Sequence, residues 1–252
     1  MLRDLPRTGI VVPCYNEGAR LPVADYERFA ARWPQVSFCF VDDGSHDDTG
    51  RLIRRTAQDM GGAHCAIALT PNRGKAEAVR AGVQHVTSET DCAFVGYWDA
   101  DLATPLEEIP RLLDVVALRP NVRFLCGSRV RRMGATIERA TYRHVLGRGF
   151  ATCASLALRL PIYDTQCGAK LLEAALAREI FAAPFISRWI FDVELVARTV
   201  ASLGREQAVG AIFELPLEAW REQGGSKLSA RAYVRAPWEL LKVWKSYRTA
   251  LR

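Results

Sequence analysis

The sequence predicts an α/β fold organised on one mostly parallel sheet, and three observations carry that reading. Short apolar runs alternate with amphipathic stretches through the first half of the chain, the pattern of successive βαβ units. Three of those runs end in loops rich in Asp, Asn and Gly, where open parallel sheets place their ligands. The 252 residues, 49% hydrophobic and 25% charged, are enough for a sizeable core without any bias towards disorder.

Taken in order, strands are expected at 9–12, 36–41, 65–69, 93–98 and 123–126, each a run of β-branched, aromatic or small apolar residues. Helical periodicity fills the gaps at 22–33, 47–60, 75–86 and 105–118. Thr104 and Glu107 have the spacing of a capping box for the last of these. The half beginning at the Gly127-Ser128-Arg129 turn is less regular. It reads as a basic loop, a helix over 139–158, an extended piece near 167–172 and a helix over 191–203. A strand pair (209–215 with 217–220) and a basic helix from 230 to the end complete it. No repeat, low-complexity tract or long linker divides the chain.

A net charge of +6 favours an anionic partner such as a nucleotide, a phosphorylated lipid or a membrane surface. No pattern of aromatics suited to base stacking accompanies it, so nucleic acid is not expected. The seven cysteines are odd in number, scattered and never C-x-x-C, which reads as reduced core residues and a cytoplasmic location. Dispersed histidines argue against a zinc site. Ile10-Val11-Val12 is too short for a signal peptide, and no run of eighteen apolar residues exists to span a bilayer.

The chemistry concentrates on Asp99-Ala100-Asp101, which follows the run Phe94–Trp98. Side chains two apart on an extended backbone face the same side, so both carboxylates can meet one cavity at a strand end. Hard divalent ions take one or two carboxylates plus the oxygens of a bound diphosphate, which makes Mg²⁺ a natural occupant. The plain alternative is a solvated loop ahead of a capped helix. Glu17 and Asp43 end two other strands with chemistry suited to ribose hydroxyls or a base edge, or with ordinary turn chemistry; Ser45-x-x-Asp48 could simply cap the following helix. Asn72-Arg73-Gly74-Lys75 offers backbone N–H groups and an ammonium to a phosphate, or is a turn with a solvated lysine. Neither G-x-x-x-x-G-K-[ST] nor G-x-G-x-x-G is present, which argues against a P-loop enzyme and a nicotinamide dehydrogenase.

Together, Val12-Pro-Cys-Tyr-Asn-Glu17, Val41-Asp-Asp-Gly-Ser45, Asn72-Arg-Gly-Lys75, Asp99-Ala-Asp101 and Gly127-Ser-Arg129 resemble the nucleotide-binding half of a family 2 glycosyltransferase of the GT-A fold. The resemblance continues through Asp164–Leu171, Arg188–Leu195 and Gly225–Leu228, and is strongest to the polyprenyl-phosphate sugar transferases, above all the dolichyl-phosphate β-glucosyltransferase branch. It implies one GT-A domain over 1–252, with a nucleotide-sugar half (1–128), an acceptor half (129–228) and a basic amphipathic helix (229–252). It also implies that Pro13, Tyr15, Glu17, Val41 and Asp43 line the nucleoside pocket, with Lys75 and Ala100 beside the nucleotide. Asp99 and Asp101 would hold Mg²⁺ or Mn²⁺ and the diphosphate. Arg129, Arg143, Arg221 and Lys227 fall where related lipid-phosphate mannosyltransferases gather cations around the acceptor phosphate and donor diphosphate. Those mannosyltransferases carry Gln two residues after the second Asp; here Ala103 stands there, as in the glucosyltransferase branch, which favours UDP-glucose over GDP-mannose.

The implied reaction is inverting transfer of the sugar to a polyprenyl phosphate at the cytoplasmic membrane face. A soluble transferase acting on a hydroxyl, and a nucleotide-binding module without catalysis, are the rival readings. A hydroxyl acceptor needs a general base, whereas a phosphate monoester, with its second pKa near ~6, is largely ionised already. Asp164, Asp192 and Glu194 are the candidate bases, the last two equally suited to complement a helix dipole. Arg131, Arg132 and Arg148 read as solvated. On the terminal helix, Trp238, Leu241, Trp244 and Tyr247 recur every three residues beside Lys242, Lys245 and Arg248. That stripe suits either an interfacial helix or a face packed on the domain.

Overall fold

The computed structural model describes residues 5–138, 140–223 and 230–251. Its first half follows the predicted alternation: β1 (Thr8–Cys14), α1 (Val23–Arg32), β2 (Val36–Asp42), α2 (Thr49–Met60), β3 (Cys65–Ala68), α3 (Lys75–Glu89), β4 (Phe94–Trp98), α4 (Glu108–Leu118) and β5 (Phe124–Ser128). The second half adds β6 (Thr136–Glu138), α5 (Thr141–Leu158), β7 (Ala169–Glu173), α6 (Ala174–Ile180), α7 (Phe191–Leu203), α8 (Arg205–Ala211), β8 (Ile212–Pro216), β9 (Ala219–Arg221) and α9 (Ala230–Tyr247).

The seven-stranded sheet has the order β3-β2-β1-β4-β7-β5-β8, and β6 pairs with β9 in a separate ribbon. Strands β1, β2, β3 and β4 are mutually parallel, as are β5 and β8. Strand β7 runs antiparallel to both β4 and β5. From β1 the chain moves outward to β2 and β3, then returns to place β4 on the other side of β1. The carboxyl ends of β1 and β4 therefore flank a topological switch point, where a crevice opens for ligand.

Helices cover both faces, which explains why the strands read as continuous apolar runs. Along β1 and β2, Ile10, Val12, Phe38 and Phe40 point into a core with Tyr26 and Phe29 of α1 and with Ile109 and Leu112 of α4. Val11, Cys39 and Val41 alternate to the other face, against α3, α6 and α7. Full burial of an aromatic or branched side chain such as Phe38 is worth roughly 1.5–3 kcal/mol, so these two layers supply most of what holds the sheet.

Four expectations for the elements need correction. Residues 209–215 and 217–220 are not a strand pair: Val209 lies in α8, β8 joins the main sheet beside β5, and β9 pairs with β6. Leu217 is fully buried and donates its N–H to the Ser128 carbonyl (3.0 Å), which turns the chain out of one sheet and into the other. The Thr104–Glu107 capping box does not form, because α4 begins at Glu108 and its N-cap makes no side-chain hydrogen bond. Arg148 is not solvated; its guanidinium sits 3.6 Å over the Tyr163 ring and donates to the Tyr163 carbonyl (2.7 Å). The cysteines are all free thiols, but only five are buried, with Cys65 half-buried and Cys153 exposed. No helix among the described residues is long and apolar enough to cross a membrane.

Candidate active site

Three loops meet at the switch point, and hydrogen bonds rather than packing hold them together. After β1, Asn16 takes a left-handed turn (φ 51°), a conformation its short polar side chain tolerates well. Its N–H donates to Ser45 Oγ (2.9 Å) and its Oδ1 accepts from the His46 N–H (2.9 Å). The Glu17 N–H donates to Thr49 Oγ1 (2.7 Å), while its buried carboxylate accepts from Arg20 Nη2 (2.6 Å). Pro13 and Val41 are register partners; the Val41 side chain is wholly committed to the core, and Tyr15 lies partly exposed, edge-on to His46.

After β2, buried Asp43 reaches across to the loop before α3. Its two oxygens accept the N–H groups of Arg73 (2.7 Å) and Gly74 (2.8 Å), and its carbonyl accepts from Asn72 Nδ2 (2.8 Å). Gly44 makes this approach possible, with φ +67° and a position where any Cβ would lie 2.7 Å from the Asn72 nitrogen. Burial pushes the Asp43 pKa up against these two bonds. The Arg73 and Gly74 N–H groups are thus held by Asp43 and are not free to cradle a phosphate.

Lys75 instead reaches Asp99, with which it forms an ion pair. Partial desolvation works against the ammonium, but the charges of Asp99, Asp192 and Asp101 outweigh it and raise the lysine pKa. Asp99 and Asp101 do not face one cavity because of strand pleat, as the spacing had suggested. Strand β4 ends at Trp98, and a turn follows in which the Leu102 N–H bonds the Asp99 carbonyl (3.2 Å). Leu102 has φ 51°, an uncommon value for a branched residue and a place where local strain marks the site. Asp101 accepts the Ala103 N–H (3.0 Å), and buried Ala100 offers its carbonyl to the Tyr26 hydroxyl (3.4 Å). Desolvation and the neighbouring Asp99 charge raise the Asp101 pKa. Beneath Asp99, Gly168 leaves no room for a side chain: a Cβ there would lie 1.9 Å from Asp99 Oδ2.

On the far side of the crevice, Arg129 and Asp164 form a bidentate pair, Nε–Oδ2 2.7 Å and Nη2–Oδ1 2.8 Å. The Arg129 and Gln166 N–H groups add two more donors to the same carboxylate. Burial alone would raise the Asp164 pKa, yet the guanidinium holds it well below the usual carboxylate range. A carboxylate so placed is a poor base at neutral pH. The Arg129 guanidinium also lies 5.4 Å from the Trp220 ring and senses the Asp99 charge, so it belongs to the same crevice. Arg221 follows Trp220; its N–H donates to the Ala103 carbonyl (2.9 Å), tying β9 to the Asp99–Asp101 turn, while its side chain is largely exposed. Arg143 lies in the first turn of α5, with its side chain outside the described structure, and Lys227 lies outside the described residues.

The family model for glycosyl transferase family 2 matches residues 9–181. The chain belongs to glycosyl transferase family 2. A dolichyl-phosphate beta-glucosyltransferase of Trichomonas vaginalis is 32% identical over 259 residues, 97% of this chain and 72% of that protein. The human protein of the same name is 32% identical over 237 residues, 87% of this chain and 68% of that one. Among solved structures, glucosyl-3-phosphoglycerate synthase of Mycobacterium tuberculosis superposes with a TM-score of 0.67 at 16% identity, over 96% of this chain and 80% of that one. Its complex with Mn²⁺, UDP-glucose and phosphoglyceric acid gives 0.66 at 17%, over 95% and 80%. These likenesses establish the GT-A fold of this family 2 glycosyltransferase.

Three site residues have no role assigned from the sequence, although Lys170 and Arg188 lie within the segments that carry the resemblance. Lys170 is fully buried in β7 and donates to the carbonyls of Thr165 (2.9 Å) and Cys167 (2.6 Å) and to Asp192 Oδ1 (2.6 Å), which also accepts from the Tyr97 hydroxyl. It fixes the loop that carries Asp164 and Gly168. A lone lysine in the apolar run Ala169–Leu172 was the available signal. Glu214 of β8 accepts the Tyr163 (2.6 Å) and Asp164 (2.8 Å) N–H groups from below. Arg188 donates from Nε to the Arg73 carbonyl (3.0 Å) and flanks Gly74, closing the crevice above Lys75.

The Asp99–Asp101 pair fits a hard divalent cation. Both ligands are carboxylates, and their mutual repulsion, visible in Asp101, is what a cation relieves. Among the described residues no group of three or more His, Cys, Asp or Glu side chains surrounds a common ion position. Two carboxylates, with the remaining ligands left to a substrate diphosphate and water, is the usual arrangement for Mg²⁺.

Proposed function

We propose that this transferase moves glucose from UDP-glucose to the phosphate of a polyprenyl phosphate, with inversion at the anomeric carbon, on the cytoplasmic side of a membrane. The single observation that carries the choice of acceptor is the state of the three acids available as bases. Asp164 is saturated by Arg129, Gln166 and their N–H donors. Asp192 is buried between Lys170 and Tyr97. Glu194 is fully buried and accepts from Arg198 Nη2 (2.8 Å), the Ile186 N–H (2.8 Å) and Tyr247 Oη (3.2 Å). A phosphate nucleophile arrives already ionised and needs none of them. The relatives' shared name and Ala103 favour glucose over mannose.

In this reading Glu17, Asp43 and the Tyr15 loop receive the nucleoside, and Asp43 acts chiefly by holding the Asn72–Gly74 loop in place. Asp99 and Asp101 would hold Mg²⁺ or Mn²⁺, which neutralises the departing diphosphate when bound. Lys75 adds a fixed positive charge at the same point, with no reorganisation at the moment of transfer. Arg129, pre-set by Asp164, presents its charge across the crevice, and Arg221, with Arg143 and Lys227, would gather the acceptor phosphate.

Purified protein incubated with UDP-glucose and Mn²⁺ is expected to convert a short-chain polyprenyl phosphate to its glucosylated ester, detected by product mass. Transfer to a simple sugar or 3-phosphoglycerate, with none to the lipid phosphate, would overturn the acceptor. GDP-mannose replacing UDP-glucose with equal rate would overturn the donor.

A further inference from the structure

Among the described residues twelve large hydrophobic side chains are exposed, and nine of them lie on three elements joined through α9. Four are on α5, two are in the loop before α7, and three are on α9. Helix α5 packs on α9. The loop that carries Ile186 and Trp189 is joined to α9 by a hydrogen bond from Ser187 Oγ to Glu239, the residue after Trp238. The exposed apolar residues are thus grouped on neighbouring elements rather than scattered over the surface, and grouping is what distinguishes a working surface from ordinary exposure.

Helix α9 carries two apolar stripes. Ala236, Leu240 and Val243 are buried, and Tyr247 turns inward to Glu194 and Arg198. The second stripe, Trp238, Leu241 and Trp244, is exposed among the described residues, Trp238 the most so. Beside it Arg235, Lys242, Lys245 and Arg248 are all exposed. From residue 230 to the end the sole acid is Glu239, already used by Ser187, and between Glu138 and Asp164 there is none. Tryptophans at the level of lysines, with acids excluded, match the headgroup region of a bilayer carrying negative lipids. A second copy of the same face would bring like charge against like charge in a twofold contact, which disfavours self-association there.

We infer that α5, α9 and the Ile186–Trp189 loop form a docking face for an anionic phospholipid bilayer. The loop links the face to the catalytic crevice, because Arg188 lies between Ile186 and Trp189 and donates to Arg73 beside Gly74 and Lys75. Docking places the crevice mouth at the lipid surface, so an acceptor phosphate enters without leaving the membrane plane. That route rests on the polyprenyl-phosphate reading above; docking itself does not.

The test is co-sedimentation of the full chain with vesicles of phosphatidylcholine alone or mixed with phosphatidylglycerol. The expected result is binding to the mixed vesicles, little to the neutral ones, and release by salt. W238S/W244S and K242E/K245E should each weaken binding by about tenfold or more, whereas L118S, an exposed leucine on α4, should bind like the parent. All three substitution sets are at exposed positions, and unchanged circular dichroism confirms folding. No association with anionic vesicles, or association indifferent to W238S/W244S, overturns the docking face. So does a dimer in solution that W238S/W244S converts to monomer. Transfer to a water-soluble short-chain prenyl phosphate should survive in W238S/W244S while transfer to vesicle-borne acceptor falls. Vesicle binding with no transfer to either acceptor would overturn the proposed function and leave the docking face standing.

Discussion

The two walls of the crevice handle charge in opposite ways. On the β5–β7 side the two buried cations each have a counterion and further hydrogen bonds: Arg129 with Asp164, and Lys170 with Asp192 and two carbonyls. On the β1–β4 side Asp99 and Asp101 crowd together with only Lys75 shown paired to them, and one of them has its pKa raised in consequence. The buried Lys170–Asp192 pair is scaffold, since its charge is neutralised from within. An unmatched cluster in a crevice is a place for a ligand of opposite charge.

Lys170→Met breaks the matched wall. It leaves Asp192 as an uncompensated buried carboxylate, and removal of one partner of such a pair costs about 3–5 kcal/mol. The thermal midpoint should fall by roughly 10 °C or more, at 2–4 °C per kcal/mol for a chain of this size. A midpoint within a few degrees of the parent would show that the lysine is not structural.

Asp99→Asn with Asp101→Asn breaks the unmatched wall, with the reverse outcome. Glucose transfer should drop by on the order of 10²–10³-fold or more, the scale of losing a main electrostatic contact of the transition state. The midpoint should hold or rise, because repulsion between the two acids is relieved. Undiminished transfer would remove these residues from the mechanism.

Gly168→Ala sharpens the comparison where the walls meet. The added Cβ would sit 1.9 Å from Asp99 Oδ2, so the carboxylate must swing away. Displacement of a reacting group by this much costs on the order of 10- to 100-fold in rate. Stability should change little, since the moving atom is the end of a side chain. A rate equal to the parent's would mean that the position of Asp99 is not critical.

How much of this was open to sequence reading follows the same divide. The β1–β5 half is legible because strands covered on both faces are uninterrupted apolar runs, and helix and loop alternate at short range. Strand β7 is legible as the extended piece near 167–172 although Lys170 interrupts its apolar run, whereas β6 hides because its three residues are largely exposed. Residues 205–211 form a helix although Val209–Leu215 reads as extended, for the strand signal truly begins only at Ile212. Within the site, Asp99 and Asp101 are visible as two acids after an apolar run, but the turn beyond Trp98 that holds them is not. The engagement of Asp43 with Arg73 and Gly74, and of Arg188 with the Arg73 carbonyl, spans 30, 31 and 115 residues and depends on tertiary assembly. No local pattern encodes which of several turn acids will be drawn to which loop.

The most direct comparison of the walls lies in the pH dependence of stability of Asp101→Asn and Asp164→Asn. The folded-state pKa of Asp101 lies above its unfolded value near ~3.9. Its ionisation therefore opposes folding, and the opposition grows as pH rises from the unfolded value through the folded one. Asp164 has the opposite sign, with a folded pKa far below ~3.9. It stabilises fully above that value, and the contribution is lost as pH falls towards its folded pKa. Urea titrations across the acid range should thus show Asp101→Asn gaining on the parent as pH rises through and above ~4. Asp164→Asn should lag most at neutral pH and approach the parent as acid strips the native advantage of the Arg129 pair. Parallel pH curves for the two variants would show that the crevice walls do not differ in charge balance.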